Sequence, residues 1–170
     1  IRYWESQGDE ISFKELDRDT LEAADFPSYI DPNDPRFLKP DIAADRPMAQ
    51  RVQDYCREQG MKVPETKAEF MVAIYRGLAK AYKRYVAQLE ETTGQSYDTL
   101  YIIGGGSKNY ILNQWTADEL GIPAYAGPIE ATALGNMLIQ GLAVGDFKDI
   151  SEGKEIIRKS QKVIKYDPKK

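Results

Sequence analysis

The stretch Thr99-Leu100-Tyr101-Ile102-Ile103-Gly104-Gly105-Gly106-Ser107-Lys108-Asn109 decides how the chain is read. Five β-prone residues end abruptly in three glycines, and a helical pattern through Ile111, Leu112 and Trp115 follows. In open α/β sheets, ligands bind in the crevice at the carboxyl ends of the strands. Glycines there let the backbone approach a phosphate or ribose without interference from Cβ. The helix that follows offers unpaired amides and a partial positive charge to an anion. It is expected to begin near Ser107 to Asn109, which leaves Ser107, Lys108 and Asn109 beside a bound group. Alone, the stretch supports two readings, a tight strand-to-helix turn and a phosphate cradle. The dinucleotide fingerprint G-x-G-x-x-G breaks at Asn109, and the Walker A pattern lacks its glycine ahead of Gly106-Ser107-Lys108.

Downstream, Gly121 stops the helix and Ile122-Pro123-Ala124-Tyr125-Ala126 reads as a second short strand. Gly127-Pro128 leads into a helix through Leu134, Leu138 and Leu142 that ends at Gly145. Ser151 is expected to cap a last helix bearing Ile156, Ile157 and Val163. Glu130 in a first helical turn, Asp118 late in its helix and Asn136 are read as structural.

Upstream, residues 11–24 suit a short helix anchored by Leu16 and Leu21, and Tyr29 to Phe37, with prolines at 32 and 35, reads as turns. Asp17, Asp19, Asp31 and Asp34 are expected as turn and cap residues. Asp45 and Pro47 open a helix through Tyr55 and Cys56, closed by Gly60. Thr66 and Glu69 spell a capping box. The long helix behind it carries Phe70, Ile74, Leu78, Ala81, Tyr82, Tyr85 and Leu89 on one face, tyrosines included, as core, and Gly94 ends it. Strands alternating with helices imply parallel pairing and an α/β layer architecture.

Composition narrows the function. The 170 residues suit one domain of ordinary size, with 42% hydrophobic and 29% charged residues. The net charge of -4 argues against nucleic acid as the main partner, because phosphate backbones demand clustered Lys and Arg. The basic tail from Lys165 to Lys170 is expected as a frayed, solvated terminus. With no His and only Cys56, the chain has no Ser-His-Asp triad, no imidazole base, no intrachain disulfide and no metal site of the usual His or Cys type. No apolar run reaches the roughly 18 residues of a membrane helix, so no membrane partner is expected, and a reducing cytoplasm is the natural setting. The opening Ile1-Arg2-Tyr3-Trp4, without Met and inside an amphipathic pattern, is what a fragment would show.

The residues around the glycines carry a resemblance. Gly104-Gly105-Gly106-Ser107-Lys108-Asn109, Asn113-Gln114-Trp115-Thr116-Ala117-Asp118, Gly121-Ile122-Pro123 and the run from Ala126 to Asn136 together resemble the FGGY carbohydrate kinases at the family's spacings. The stretch from Ile30 to Leu38 and Val63-Pro64-Glu65-Thr66 resemble the branch of that family acting on L-rhamnulose. The resemblance implies an actin-like ATPase fold of two ribonuclease-H-like domains closing on sugar and ATP. Residues 1–170 would be most of the second, nucleotide-binding domain, an incomplete parallel or mixed sheet with packed helices. It implies cofactor contacts from Gly105 and Asn109, with Gly104 and Gly106 shaping the loop and Ser107 beside it. It places the catalytic aspartate, the sugar-binding residues and the phosphate-binding hairpin before Ile1, so no catalytic residue and no metal ligand is expected in this chain. The implied reaction is Mg²⁺-assisted, in-line transfer of the ATP γ-phosphoryl group to a sugar hydroxyl. Alternatives are a family member acting on xylulose or fuculose, a non-catalytic nucleotide-binding module, and a packing domain whose glycines only make turns. Oligomeric state is not readable from these residues.

Overall fold

The computed structural model describes residues 1–38 and 47–169, which gather into two compact units, Ile1–Gln88 and Leu89–Lys170. The expected helix start at Asp45 and the last tail residue, Lys170, lie outside the described residues.

The first unit is helical. Helix α1 (Arg2–Ser6) sets Trp4 edge-on against Phe70, with ring centroids 5.8 Å apart. Helix α2 (Phe13–Glu22) starts at Ser12, whose Oγ accepts from the Glu15 amide. Leu16 is buried, but Leu21 lies on the solvent side and is no anchor. Asp17 and Asp19 sit inside this helix, Asp19 paired with Arg18 at 2.8 Å, and are not turn residues. Asp31 and Asp34 are, since their Oδ1 atoms accept from the amides of Asn33 and Arg36, two residues on. The turn leads into α3 (Pro35–Leu38), where Phe37 meets Tyr55 of α4 (Met48–Glu58) at 5.7 Å. Cys56, on α4, is fully buried and its thiol is pushed up by burial.

Helix α5 (Lys67–Thr93) begins with the expected capping box. Glu69 accepts from the amides of Glu65 and Thr66, and Thr66 Oγ1 accepts from the Glu69 amide. Its buried face runs Ala68, Phe70, Val72, Ala73, Gly77, Ala79, Ala81 and stops there. Tyr82 and Tyr85 are therefore exposed, not core. Tyr85 instead donates its hydroxyl to Asn33 Oδ1, and Arg84 pairs with Asp31. Arg76 reaches the carbonyls of Ala24 and Phe26, and the Ile30 amide donates to Ala73 O, so the extended segment 26–30 lies along α5.

The second unit carries the sheet. Strands β1 (Leu100–Ile102) and β2 (Ala124–Ala126) pair in parallel through the crossover helix α6 (Tyr110–Leu120). A third strand, β3 (Ile164–Tyr166), pairs antiparallel with β2 and completes the order β1-β2-β3. The tail is thus docked rather than frayed, because Gln114 Nε2 donates to Asp167 O and the Lys169 amide donates to Asp118 Oδ1. Asp118 is structural, as expected. The register sets Tyr101, Tyr125 and Lys165 side by side on one face, with the two rings stacked 5.4 Å apart. Ala124 and Ala126 are buried on the other face, and α6 packs on β2 with Ile111 and Ala117 buried. Helices α7 (Ala131–Val144) and α8 (Ile150–Ser160) pack together. Asp149, not Ser151, caps α8: its Oδ1 accepts from the amides of Ser151 and Glu152, where a carboxylate also complements the helix dipole. Glu130 stands at the N-cap of α7 without a side-chain capping bond. Among the described residues no helix is long and apolar enough to cross a membrane.

Candidate functional site

The glycine turn sits where β1 ends. Gly104 has φ 75° and ψ -160°, a conformation closed to residues with a Cβ, and its amide donates to Pro128 O at 3.1 Å. Beside it the Gly127 amide donates to Ile102 O at 2.8 Å, so the exits of the two parallel strands are laced together. The chain then winds into a 3₁₀ turn, Gly105–Lys108, and passes through Asn109 into α6. The helix begins one residue later than its expected start range.

Each expected contact residue has a distinct place. Gly105 and Gly106 are exposed, with open space where a Cβ would stand, and their amides donate to no group among the described residues. Ser107 is buried, and its hydroxyl donates to Gly104 O at 2.6 Å, turned into the loop. Lys108 is exposed and makes no ion pair among the described residues. Asn109 caps α6, with Oδ1 accepting from the Leu112 amide at 3.0 Å. Its Nδ2 donates to nothing among the described residues.

Two free amides, a lysine without an ion pair among the described residues and the positive end of an 11-residue helix lie within six residues, groups of the kind that favour an anion. The approach to the backbone is unobstructed at Gly105 and Gly106. A separate cavity of about 490 Å³ opens between α7 and α8, lined by Leu134, Met137, Leu138, Val144, Phe147 and Ile156. Its apolar walls do not suit phosphates. Among the described residues no three His, Cys, Asp or Glu side chains converge as a metal site.

One residue of the site was not legible in advance. Asn113, fully buried on α6, donates its Nδ2 to Ser107 O at 2.9 Å beneath the turn. The signal was an asparagine on the apolar side of a helix, four residues after the cap.

Residues 1–144 match the model of the FGGY family of carbohydrate kinases, C-terminal domain. A rhamnulokinase of Ligilactobacillus salivarius is 42% identical over 94% of this chain and 32% of its own length. One from Bacillus subtilis is 39% identical over the same shares. The chain thus spans about a third of the curated relatives it matches. In structure it resembles a xylulose kinase from Rhodospirillum rubrum, with a TM-score of 0.56 at 18% identity, covering 92% of this chain and 29% of that one, a likeness of fold. With a strand, glycine turn and capped helix laid out as the sequence motifs require, and the family match running through all of them, the chain belongs to the C-terminal domain of the FGGY carbohydrate kinases.

Proposed function

We propose that this chain is the nucleotide-holding domain of an ATP-dependent ketose kinase that converts L-rhamnulose to L-rhamnulose 1-phosphate. The carrying observation is the open Gly105–Gly106 backbone in the turn ahead of α6, with the side-chain Nδ2 of Asn109 unused among the described residues. The preference for rhamnulose rests on relatives named rhamnulokinase, at 42% and 39% identity across 94% of the chain. In the complete enzyme the sugar contacts and the aspartate base would come from residues outside this chain. Mg²⁺ bound with the nucleotide would neutralise charge on the transferring group. The bond from the γ-phosphorus to the β,γ-bridging oxygen breaks, a bond to the sugar oxygen forms, and the hydroxyl proton passes to the aspartate. Gly105 and Gly106 would admit the nucleotide, Gly104 and Ser107 would hold the loop, and Asn109 would orient the adenosine moiety. Accurate placement of ATP is this domain's contribution to rate. A cytoplasmic enzyme is the fitting context.

The test uses the complete kinase polypeptide that contains these residues. ADP release from ATP is measured with L-rhamnulose, xylulose and fuculose, alongside calorimetric titration of ADP. L-rhamnulose is expected to give the highest kcat/KM, and Gly105→Val is expected to weaken ADP binding at least about tenfold by filling the approach. A higher kcat/KM for another sugar overturns the substrate. Nucleotide binding without turnover on any sugar overturns the kinase, and an unchanged Gly105→Val titration overturns the loop.

A further inference from the structure

The glycine turn and α6 are joined by a single residue, Asn109, and two bonds hold them in register. One is the Asn109 cap on Leu112. The other is the bond from Asn113 Nδ2 to Ser107 O at 2.9 Å. The Ser107 carbonyl is an end carbonyl of the 3₁₀ turn, the kind that helical geometry leaves without a partner. Asn113 satisfies it from the second turn of α6 and so ties the far end of the glycine turn to the helix body.

Two features separate this from ordinary packing. Asn113 is 0% exposed, yet its Oδ1 has no hydrogen-bond partner among the described residues. A buried acceptor left unpaired is unfavourable, and a leucine, which branches at the same carbon, would occupy the site without it. The nearby Thr116, also 0% exposed and with no partner for its Oγ1 among the described residues, is on the same helix but has no bond to the turn. The bond from Asn113 also continues into the loop. Ser107, whose carbonyl Asn113 holds, donates its own hydroxyl and amide to Gly104 O. A trans peptide points its N–H opposite its C=O, so holding the Gly104 carbonyl inward directs the Gly105 amide outward.

We propose that Asn113 is a positioning residue for nucleotide binding: by holding the Ser107 carbonyl it fixes the offset between the free Gly105–Gly106 amides and the N-terminus of α6. This rests on the reading of Gly104 to Asn109 as the nucleotide loop. It touches no substrate atom and acts through the backbone of the turn.

The complete kinase is prepared as wild type, Asn113→Leu, Thr116→Val and Gly105→Val. Melting temperature, ADP affinity, and KM for ATP and for sugar are measured for each. Asn113→Leu is expected to melt at or above the wild-type temperature while ADP affinity falls and KM for ATP rises about tenfold, the scale of one lost positioning hydrogen bond, with KM for sugar unchanged. Thr116→Val is expected to match wild type in all four. Wild-type ADP affinity in Asn113→Leu, with Gly105→Val impaired, overturns the proposal and leaves the loop reading intact. Unchanged affinity in both overturns the loop reading itself. Equal losses in Asn113→Leu and Thr116→Val, or parallel rises in both KM values, show a general disturbance of α6 and also overturn it. Where Asn113→Leu does not fold, Asn113→Ser carries the same comparison.

Discussion

Glu69 shows how much one side chain settles at the residue scale. Partial burial pushes its carboxyl up, but the amides of Glu65 and Thr66 and the Lys62 ammonium outweigh that and hold it below its ordinary value. A carboxyl lowered by folding stabilises the fold above its unfolded pKa of about 4.3 and loses that contribution as pH falls through the lower folded value. Thermal melts of wild type and Glu69→Gln should therefore differ by a constant amount near neutrality and converge below about pH 4. Gly77 is the steric counterpart. A Cβ there would run into the Ile30 carbonyl oxygen, because segment 26–30 lies directly on α5. Gly77→Ala, ordinarily favourable in a helix, is expected here to destabilise by about 1–3 kcal/mol in chemical denaturation. The Thr66–Glu69 box was readable from spacing alone. The need for glycine at 77 was not, since its partner lies 47 positions away in the sequence.

Among the elements, α6 and α7 contrast. Helix α6 is defined at both ends by residues visible in the sequence, Asn109 as cap and Gly121 in the left-handed conformation after it. Asn109→Ala should cost about 1 kcal/mol of stability, apart from any effect on nucleotide, as measured by urea unfolding. Helix α7 contains no charged residue, yet only Leu138 and Gly141 are buried. Leu138→Ala is expected to cost about 2–5 kcal/mol, because Leu138 packs against the Gly153 stretch of α8 beside Phe147. Ile139→Lys, at a position 55% exposed, should stay within about 0.5 kcal/mol. If the Ile139→Lys cost equals that of Leu138→Ala, the assignment of the covered face of α7 is wrong. The periodicity identified the helix and its end at Gly145. Thr132, Asn136 and Gln140 mark one exposed stripe, but apolar residues occupy the rest of the circumference and do not single out Leu138 and Gly141 as the covered side. The tyrosine stripe of α5 failed for a related reason: the helical period continues to Leu89, but the buried face ends at Ala81.

On the scale of the whole molecule, the sheet unit depends on its last residues. Removing residues 162–170 takes away β3, the Gln114 bond to Asp167 O and the Lys169 bond to Asp118. Hydrogen exchange in a peptide covering Ala124 to Ala126 should accelerate markedly in that truncation, and unchanged protection would show that β3 contributes nothing. By itself the sequence determined the alternation of strand, glycine turn and helix, the capping box at Thr66, the helix ends at Gly60, Gly94, Gly121 and Gly145, and the position of the glycine turn. These are local, set by backbone conformation and by partners within four residues. Only the tertiary structure decided that the basic tail becomes a third, antiparallel strand, that Ser107 turns inward while Gly105 and Gly106 stay open, and that Asn113 supports the turn. A three-residue strand has too little pattern to declare itself before its partner is in place. A buried asparagine reveals its role only when the carbonyl it satisfies has been brought beside it.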